Sequence, residues 1–307
     1  MLIWRPRSQS ISITKVIPTL GASYAVEMLR LRERQMSMTC LFGSSSSYPS
    51  PFPRMSPTLA DRLALRTRPT GRPLMHQSWG DLLFMHWPVP AEVIQPHLPA
   101  RLQVDTFEGQ AWLGIVPFRM WDVRSRLTPP VPGVREFLEL NVRTYVHLDG
   151  VPGVWFFSLE ATNALAVWAA RTFFHLPYFR ARMKLERPAP DALHYVGHRV
   201  HNGAPEAHFA ATWQLGAPLP PAEPGSLAFF LSERYALYAA GGGEAPGQGG
   251  RLYKGLIHHQ PWQLHQVELL HYQSDLLAGH RLPTPAGAPH LLAGGPVSVD
   301  LWRLRQV

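Results

Sequence analysis

The chain has 307 residues, of which 46% are hydrophobic, and a formal net charge of +8. This length and apolar fraction are enough for one large domain or two smaller ones with a sizeable core. The excess charge lies at one end, because residues 1–74 hold 11 Lys or Arg against 3 Asp or Glu, which leaves 18 of each kind in residues 75–307. A formally neutral core lacks the basic footprint that phosphate recognition requires, so we expect no nucleic-acid partner.

The first 72 residues have a composition typical of a disordered N-terminal extension. Ser44 to Ser47 form a serine run, prolines follow, and no apolar period persists. A lysine and a proline interrupt the apolar stretch near the start, which argues against an export signal, and the Arg-rich and Ser-rich composition mimics a transit peptide. We predict that residues 1–72 are disordered or follow from a wrongly chosen start codon, with Met55 favoured as the start. Residues 73–307 then form a single domain.

The cysteine and hydropathy patterns limit the compartment. The single cysteine, Cys40, lies in the extension, so the predicted domain can form neither a disulfide nor a thiolate metal site. No apolar run reaches the roughly 18 residues that a membrane span requires. We therefore expect a cytoplasmic protein with no membrane partner.

From residue 79 onward, aromatic and β-branched residues alternate with polar ones between glycine and proline breaks. The pattern predicts strands at 79–89, 102–107, 111–123, 134–148, 153–161, 178–186, 192–200, 207–215, 252–258, 266–269 and 297–304. It predicts helices at 91–97, 163–175 and 226–238 and a flexible loop at 241–250. Pro117 indicates an edge or a bulge in its strand, and Thr162 is a suitable N-cap for the second helix. Many strands with few helices indicate an α+β fold, a mainly antiparallel β-barrel or double sheet with a few packed helices.

The strand predicted at 134–148 carries a polar face. Alternation places Glu139, Asn141, Arg143 and Tyr145 on one side and apolar residues on the other. Periodicity alone favours a solvated face, whereas an inward face would line a polar pocket. In a pocket, Arg143 would offer a forked donor to a carboxylate, with Glu139 and Asn141 orienting it. The alternative is a structural ion pair between Glu139 and Arg143. Their Cα atoms would be about 13 Å apart on a strand, so such a pair would need long side chains or a bulge.

Seven runs in series resemble the bacterial YqjF-like family of uncharacterised proteins. They are WGDLLFMHW (79–87), DTFEGQAW (105–112), NVRTYV (141–146), GVWFFSL (153–159), ARTFFHLPY (170–178), LSERY (231–235) and HHQPW (258–262). The resemblance covers roughly residues 73–305. It implies a fold similar to that of acetoacetate decarboxylase, in which a curved sheet encloses a small-molecule pocket.

The resemblance also implies a mechanism that this sequence departs from. Decarboxylases of the acetoacetate type form a Schiff base on a lysine whose pKa is depressed, and that lysine follows a proline just after a helix. The similar place here is Pro177-Tyr178-Phe179, so aromatic residues replace the lysine pair. Lys184 is nearby, and we interpret it as an exposed strand lysine. We therefore expect neither Schiff-base chemistry nor a cofactor.

All fifteen histidines lie in the predicted domain. His258 and His259 are adjacent and would point to opposite faces of a strand, while His194 and His198 share a face with no carboxylate spaced to complete a ligand set. We predict no metal site. His86, between Met85 and Trp87, is a candidate for a buried polar role, with a hydrogen-bonded core histidine as the alternative.

Three function classes stay open. The first is a non-catalytic binder of a small organic acid or carbonyl compound, and its ligand-binding residues would be Arg143, Asn141, Tyr145 and Arg234. The second is an enzyme of lyase or hydrolase type on a small organic acid held by Arg143, and its catalytic candidates are Glu139, Tyr178 and His86. The third is a protein-interaction scaffold. In each class, assembly into a homo-oligomer is left open.

Overall fold

The computed structural model describes residues 56–126, 135–241 and 250–307. The helices in this part of the chain are α1 Leu59–Ala64, α2 Ala91–Ile94, α3 Ala164–Phe173 and α4 Leu227–Ser232. The strands are β1 Met75–Gly80, β2 Leu82–Val89, β3 Gln103–Val104, β4 Ala111–Ser125, β5 Glu136–Leu148, β6 Val151–Ala161, β7 Tyr178–Ala189, β8 Ala192–Arg199, β9 His208–Pro218, β10 Ala236–Gly241, β11 Arg251–His259, β12 Leu264–Ser274, β13 His290–Gly294, β14 Val297–Leu301 and β15 Arg305–Gln306. This is the predicted α+β class. None of the helices described is long and apolar enough to cross a membrane.

The strands pair into two closed circuits that share β4, β5 and β6. One circuit runs from β6 through β10, β11, β14 and β1 back to β4. The other runs from β6 through β7, β8, β9, β12, β13 and β2 back to β4. The pairs β6–β7 and β6–β10 are parallel and the others are antiparallel, which fits the predicted double sheet.

β5 is buried on both faces. Its residues Leu140 and Val142 belong to one apolar cluster, which includes Met85 and Ile115 from the neighbouring strands. Its opposite face meets a second cluster that includes Phe84, Val116 and Phe118. Because successive strand residues point to opposite faces, the alternating polar residues lie inside the protein. The solvated-face interpretation of the periodicity is therefore wrong.

Several predicted elements differ from those observed. The single strand expected at 79–89 is divided into β1 and β2 by Asp81, which has a φ of 53°. The helix expected at 226–238 ends at Ser232, because Ala236–Gly241 pair between β6 and β11 as a fully buried strand. β13 had no sequence prediction. The N-cap of α3 is Asn163 rather than Thr162, and most of the expected loop at 241–250 lies outside the described residues.

Pro117 lies in a central strand rather than at an edge. β4 pairs with β5 on one side along the whole region around Pro117. On its other side, β4 pairs with β2 through residue 115 and with β1 from residue 119 onward. The proline therefore falls where β4 changes partners, so no hydrogen bond to β1 or β2 is lost there.

Residues that we assigned to the N-terminal extension contact the domain. α1 begins with a capping box in which Thr58 and Asp61 bond each other's backbone amides. Arg62 donates two hydrogen bonds of 2.7 Å to Asp105, whose side chain is 2% exposed. Arg68 pairs with Asp300 at 2.5 Å. Residues 1–55 lie outside the described residues, and their expected disorder stays a prediction.

Candidate functional site

The β5 polar face, which consists of Glu139, Asn141, Arg143 and Tyr145, is enclosed by the sheet. Glu139 is 2% exposed, Asn141 5% and Tyr145 0%, while Arg143 is half-buried. The antiparallel pairing of β5 with β4 is uninterrupted from Glu136 to Thr144, which keeps Glu139, Asn141 and Arg143 on the same face, and strand alternation places Tyr145 there as well. The structure therefore brings together the residues that alternation predicted to share a side.

Tyr145 is the hydrogen-bonding centre of one end of this face. Its hydroxyl lies 2.7 Å from His86 Nε2 and 2.7 Å from the carbonyl oxygen of Leu231. Arg143 Nη2 donates to the same hydroxyl at 3.3 Å and to the Leu231 carbonyl at 3.2 Å. When the phenol donates to Leu231, His86 donates from Nε2 and its Nδ1 remains a lone-pair acceptor. That Nδ1 has no hydrogen-bond partner among the described residues.

His86 is held neutral by its surroundings. Burial lowers the pKa of His86 well below its usual value, and the charges of Arg143, His290 and Arg234 lower it further. Its ring lies against the backbone of β4 at Gly114, where a Cβ atom would be 2.7 Å from His86 Cδ2 and Nε2. The absence of a side chain at Gly114 is therefore what makes room for the imidazole.

The two arginines beside Tyr145 differ in how their charges are balanced. Arg234 Nη1 donates to Asp105 at 2.8 Å, its Nε donates to Phe230 O at 2.7 Å, and its Nη2 has no partner in the described part of the chain. Arg143 packs over the Phe84 ring at 5.3 Å and forms no ion pair with any described residue. Its Nε also lacks a hydrogen-bond partner within the same residues. Among the described residues, Arg143 is thus a partly buried cation without a carboxylate partner.

Glu139 forms the other end of the face. The Tyr178 hydroxyl donates to Glu139 Oε2 at 2.7 Å, and the Tyr195 hydroxyl donates to its backbone carbonyl at 2.9 Å. Burial raises the pKa of Glu139 to about 8, even though hydrogen bonds from Tyr178 and Asn141 act in the opposite direction. At neutral pH this carboxyl keeps its proton in the folded protein. Burial and the adjacent Glu139 also raise the pKa of Tyr178 well above its usual value.

The expected alternative, a structural pair between Glu139 and Arg143, does not form. Tyr178 is the hydrogen-bond partner of Glu139, whereas Arg143 is directed toward Tyr145 and Leu231. Asn141 lies between the two ends of the face, and its Oδ1 has no partner within the described ranges. The face therefore presents a cation at one end and a protonated acid at the other.

The sequence prediction missed several buried polar residues. Asp105, which joins Arg62 to Arg234, could have been noticed as an acid in the short apolar run predicted as a strand at 102–107. A second buried ion pair, Glu160 with Arg199, is 39 residues apart in sequence and has no local signal. Lys184, by contrast, is 68% exposed and pairs with Glu186, as expected of a strand lysine.

The prediction about the histidines also needs a correction. We expected no carboxylate to complete a ligand set with His198, because none has suitable spacing along the strand. Pairing of β8 with β9 brings Glu206 and His208 close to it. The contact depends on the hairpin, so spacing within one strand could not indicate it.

Two surface cavities in the described structure lie away from the β5 polar face. One, of about 150 Å³, is lined by residues that include Trp87, Tyr272 and Leu277. The other, of about 170 Å³, is lined by residues that include Leu193 and Trp213. Neither includes a residue of the polar face.

Comparison with known proteins gives matches over most of the domain. The model of the family DUF2071, described as an uncharacterized conserved protein, matches residues 76–297. The uncharacterized protein YqjF of Bacillus subtilis (strain 168) is 42% identical over 239 residues, which cover 78% of this chain and 94% of that protein.

Solved structures of similar fold share little sequence. The enduracididine biosynthesis enzyme MppR complexed with pyruvate has a TM-score of 0.52 at 14% identity, covering 78% of this chain and 92% of that one. Acetoacetate decarboxylase from Legionella pneumophila has a TM-score of 0.51 at 14% identity, covering 87% and 98%. An acetoacetate decarboxylase-like enzyme from Sphingomonas wittichii RW1 has a TM-score of 0.53 at 11% identity, covering 86% and 99%. The expected fold relationship is confirmed.

Proposed function

This chain belongs to the DUF2071 family of uncharacterized conserved proteins, and we propose that it binds a small organic acid at the β5 polar face. The observation that carries the proposal is Arg143. A partly buried guanidinium with a free Nε and no carboxylate partner among the described residues is costly unless an anion compensates it. A ligand carboxylate supplies that anion and the planar acceptor that a guanidinium fork matches.

The neighbouring groups suit the remainder of such a ligand. Asn141 Oδ1 and His86 Nδ1 lack partners within the described residues, so each can accept a hydrogen bond from a ligand hydroxyl. Because Glu139 keeps its proton at neutral pH, it adds a donor rather than a second negative charge. These features support an acid that carries a further carbonyl or hydroxyl oxygen. MppR, a structural neighbour, was solved with pyruvate, which makes pyruvate a suitable first probe.

The proposed binding does not involve a Schiff base. Tyr178 occupies the position that follows Pro177, where the resemblance to the decarboxylases would place the reactive lysine. Its hydroxyl contacts Glu139, and Lys184 is exposed to solvent. We expect no lysine adduct after borohydride reduction of the protein with pyruvate or acetoacetate. A mass increase on Lys184 or Lys254 would contradict this part of the proposal.

The binding proposal is tested by thermal unfolding of the full chain with pyruvate, acetoacetate and aromatic carboxylates. A ligand present at about 100 times its dissociation constant stabilises the folded state by about 2.7 kcal/mol, which shifts the midpoint by several degrees. The Arg143→Ala variant is expected to lose this shift. Arg124→Ala, which removes an arginine whose side chain is 55% exposed, is expected to keep it. An equal shift in the parent and in Arg143→Ala, or no shift with any acid, would overturn the proposal.

An enzyme is the second candidate, and a specific observation favours it. Glu139 has a pKa of about 8 and lies 2.7 Å from the Tyr178 hydroxyl, so a group with acid–base capacity near neutral pH is available. In this case a ligand group that reaches along the polar face would exchange a proton with Glu139. Glu139→Gln is then expected to abolish turnover of the identified ligand while preserving its binding. Unchanged turnover in Glu139→Gln would remove Glu139 from the mechanism.

A further inference from the structure

A group of metal-ligating side chains lies on the β8–β9 hairpin, and none of its members belongs to the β5 polar face. His198 on β8 is paired directly with His208 on β9, and their rings are stacked with centroids 4.5 Å apart and planes at 15°. Glu206 precedes His208 by two residues, and its Oε2 lies 3.6 Å from His198 Nε2. One ligand atom from each of the three residues lies within 4.8 Å of the others.

A carboxylate behind one histidine orients it. Asp275 Oδ2 lies 3.1 Å from His208 Nδ1, and the backbone N–H of His208 donates to the same carboxylate. When Nδ1–H donates to Asp275, Nε2 is the nitrogen available for coordination. Metal-binding histidines are commonly held in this way, with a carboxylate on the nitrogen that does not bind the metal.

The second histidine has an unsatisfied nitrogen. His198 Nε2 is shielded from solvent and has no hydrogen-bond partner in the described residues, since the Glu206 oxygen 3.6 Å away is beyond hydrogen-bonding distance. A shielded nitrogen that faces a carboxylate without bonding to it is unfavourable. A cation between the nitrogen and the oxygen would satisfy both atoms.

We propose that His198, Glu206 and His208 bind a divalent transition-metal ion, with Zn²⁺ as the class that fits best. Two imidazoles and one carboxylate are a known three-ligand set for Zn²⁺, and a solvent molecule takes the fourth position. Tetrahedral ligands at about 2.0–2.2 Å from the metal are about 3.3 Å from one another. Coordination requires the two rings to rotate out of their stacked arrangement so that a lone pair of each points at the same ion, and the ligand atoms, now within 4.8 Å of one another, to move closer together.

The charges around the group are mixed. Glu206 and Asp275 contribute negative charge, whereas Arg182, which is exposed on β7, pairs directly with His198 across the strands. A neighbouring cation weakens metal binding by repulsion. The bound ion would join β8, β9 and the connection between them, so binding would stabilise this hairpin by linkage.

The proposal is tested on the full chain, freed of any histidine tag and treated with a chelator, by titrating Zn²⁺ against a chromophoric chelator. We expect one ion per chain. His198→Ala and His208→Ala are each expected to weaken binding at least tenfold, and Asp275→Asn by about 10–100-fold. Arg182→Gln is expected to strengthen it. The matched control is His194→Ala, on the same face of β8 but bonded to Thr212, and it is expected to leave the affinity unchanged.

The absorption spectrum of bound Co²⁺ gives an independent measurement. Tetrahedral coordination with nitrogen ligands is expected in the parent and absent in the His198→Ala, His208→Ala double variant. Glu206→Gln changes a side chain that is 77% exposed. This variant therefore keeps the packing, and its affinity measures the contribution of the carboxylate alone. No Zn²⁺ binding by the parent, or equal binding by the parent and the double variant, would overturn the site. Equal affinity in Glu206→Gln would overturn the assigned ligand set.

Discussion

At the scale of single residues, Glu139 is the most unusual titrating group of the β5 polar face. It is almost completely buried, and Tyr178 gives it a hydrogen bond that only partly compensates the lost hydration. The folded protein therefore binds a proton at this carboxyl that the unfolded chain has already released at neutral pH. Proton binding by the native state links its stability to pH.

Glu139→Gln is expected to gain stability relative to the parent as the pH rises from 4.5 to about 8. These limits are the usual pKa of a glutamate carboxyl and the raised pKa of Glu139 in the folded protein. Within that window the native parent holds one more proton than its unfolded chain, so its unfolding free energy falls as the pH rises. The variant carries no such proton. The difference between the unfolding free energies of the variant and the parent should change by up to about 1.4 kcal/mol per pH unit. Urea unfolding at several pH values measures it.

The control for this prediction is Glu136→Gln, at a position on the same strand whose side chain is 60% exposed. The unfolding free energy of this variant is expected to change with pH as that of the parent does across the same range. Parallel pH profiles for Glu139→Gln and the parent would mean that Glu139 titrates alike in the folded and unfolded states.

At the scale of elements, the fit between β2 and β4 depends on one glycine. His86 on β2 is the direct partner of Gly114 on β4. The imidazole occupies the space above Gly114, and this position lets it reach the Tyr145 hydroxyl on β5. A glycine inside a strand usually weakens the strand, so its presence here is explained by the close approach of the ring.

Gly114→Ala is expected to destabilise the protein by about 1–3 kcal/mol, because the new methyl group overlaps the ring of His86, which is fully buried and bonded to Tyr145. Gly197→Ala is the matched control, since a Cβ there meets its nearest neighbour, Met183 Cγ, at an ordinary 3.4 Å. It is expected to be neutral or slightly stabilising. Chemical unfolding measures both effects. If Gly114→Ala behaved like Gly197→Ala, the proposed reason for the glycine would be wrong.

Sequence patterns predicted the elements whose pairing partners are close in the chain. The hairpin of β5 and β6 and the set β7, β8 and β9 were placed within a few residues, because alternation and turn residues are local signals. β10 was mistaken for the end of a helix, since all of its residues are buried and show no alternation, and its parallel partner β6 is distant in the chain. The polar face of β5 was predicted from alternation, but alternation alone could not decide whether the face is solvated or buried. Burial depends on strands that are distant in sequence and cover both of its faces.

At the scale of the whole molecule, α1 connects the start of the described chain to the interior. Arg62 and Arg234 both bind the same buried carboxylate, Asp105. Arg62 also lies over the Phe230 ring at 5.0 Å, and Arg234 lies over the Tyr145 ring at 4.6 Å. α1 is thereby linked to Tyr145 of the β5 polar face through Asp105 and Arg234.

A chain that begins at residue 73 is expected to be less stable than one that begins at residue 56. The shorter chain lacks Arg62 and leaves Asp105 with a single partner, and losing one member of a buried ionic group is costly. Each kcal/mol lost corresponds to a decrease of about 2–4 °C in Tm for a domain of this size. Thermal unfolding of the two chains measures the loss.

Point variants of the longer chain distinguish the ionic contact from the helix as a whole. Arg62→Ala is expected to reproduce much of the decrease, whereas Arg72→Ala, at an exposed position, is expected to have little effect. Equal stability of the two chains would show that α1 contributes nothing to the domain.

The sharing of β4, β5 and β6 by both circuits has a consequence for how the protein fluctuates. Opening one circuit at β1 or at β9 leaves these three strands paired with one another, so their amide hydrogens stay protected. We expect amides such as that of Val142 to exchange with deuterated solvent only through global unfolding. A ligand held at the β5 polar face would rest on the part of the protein that opens last, and it would leave by side-chain motion rather than by separation of strands.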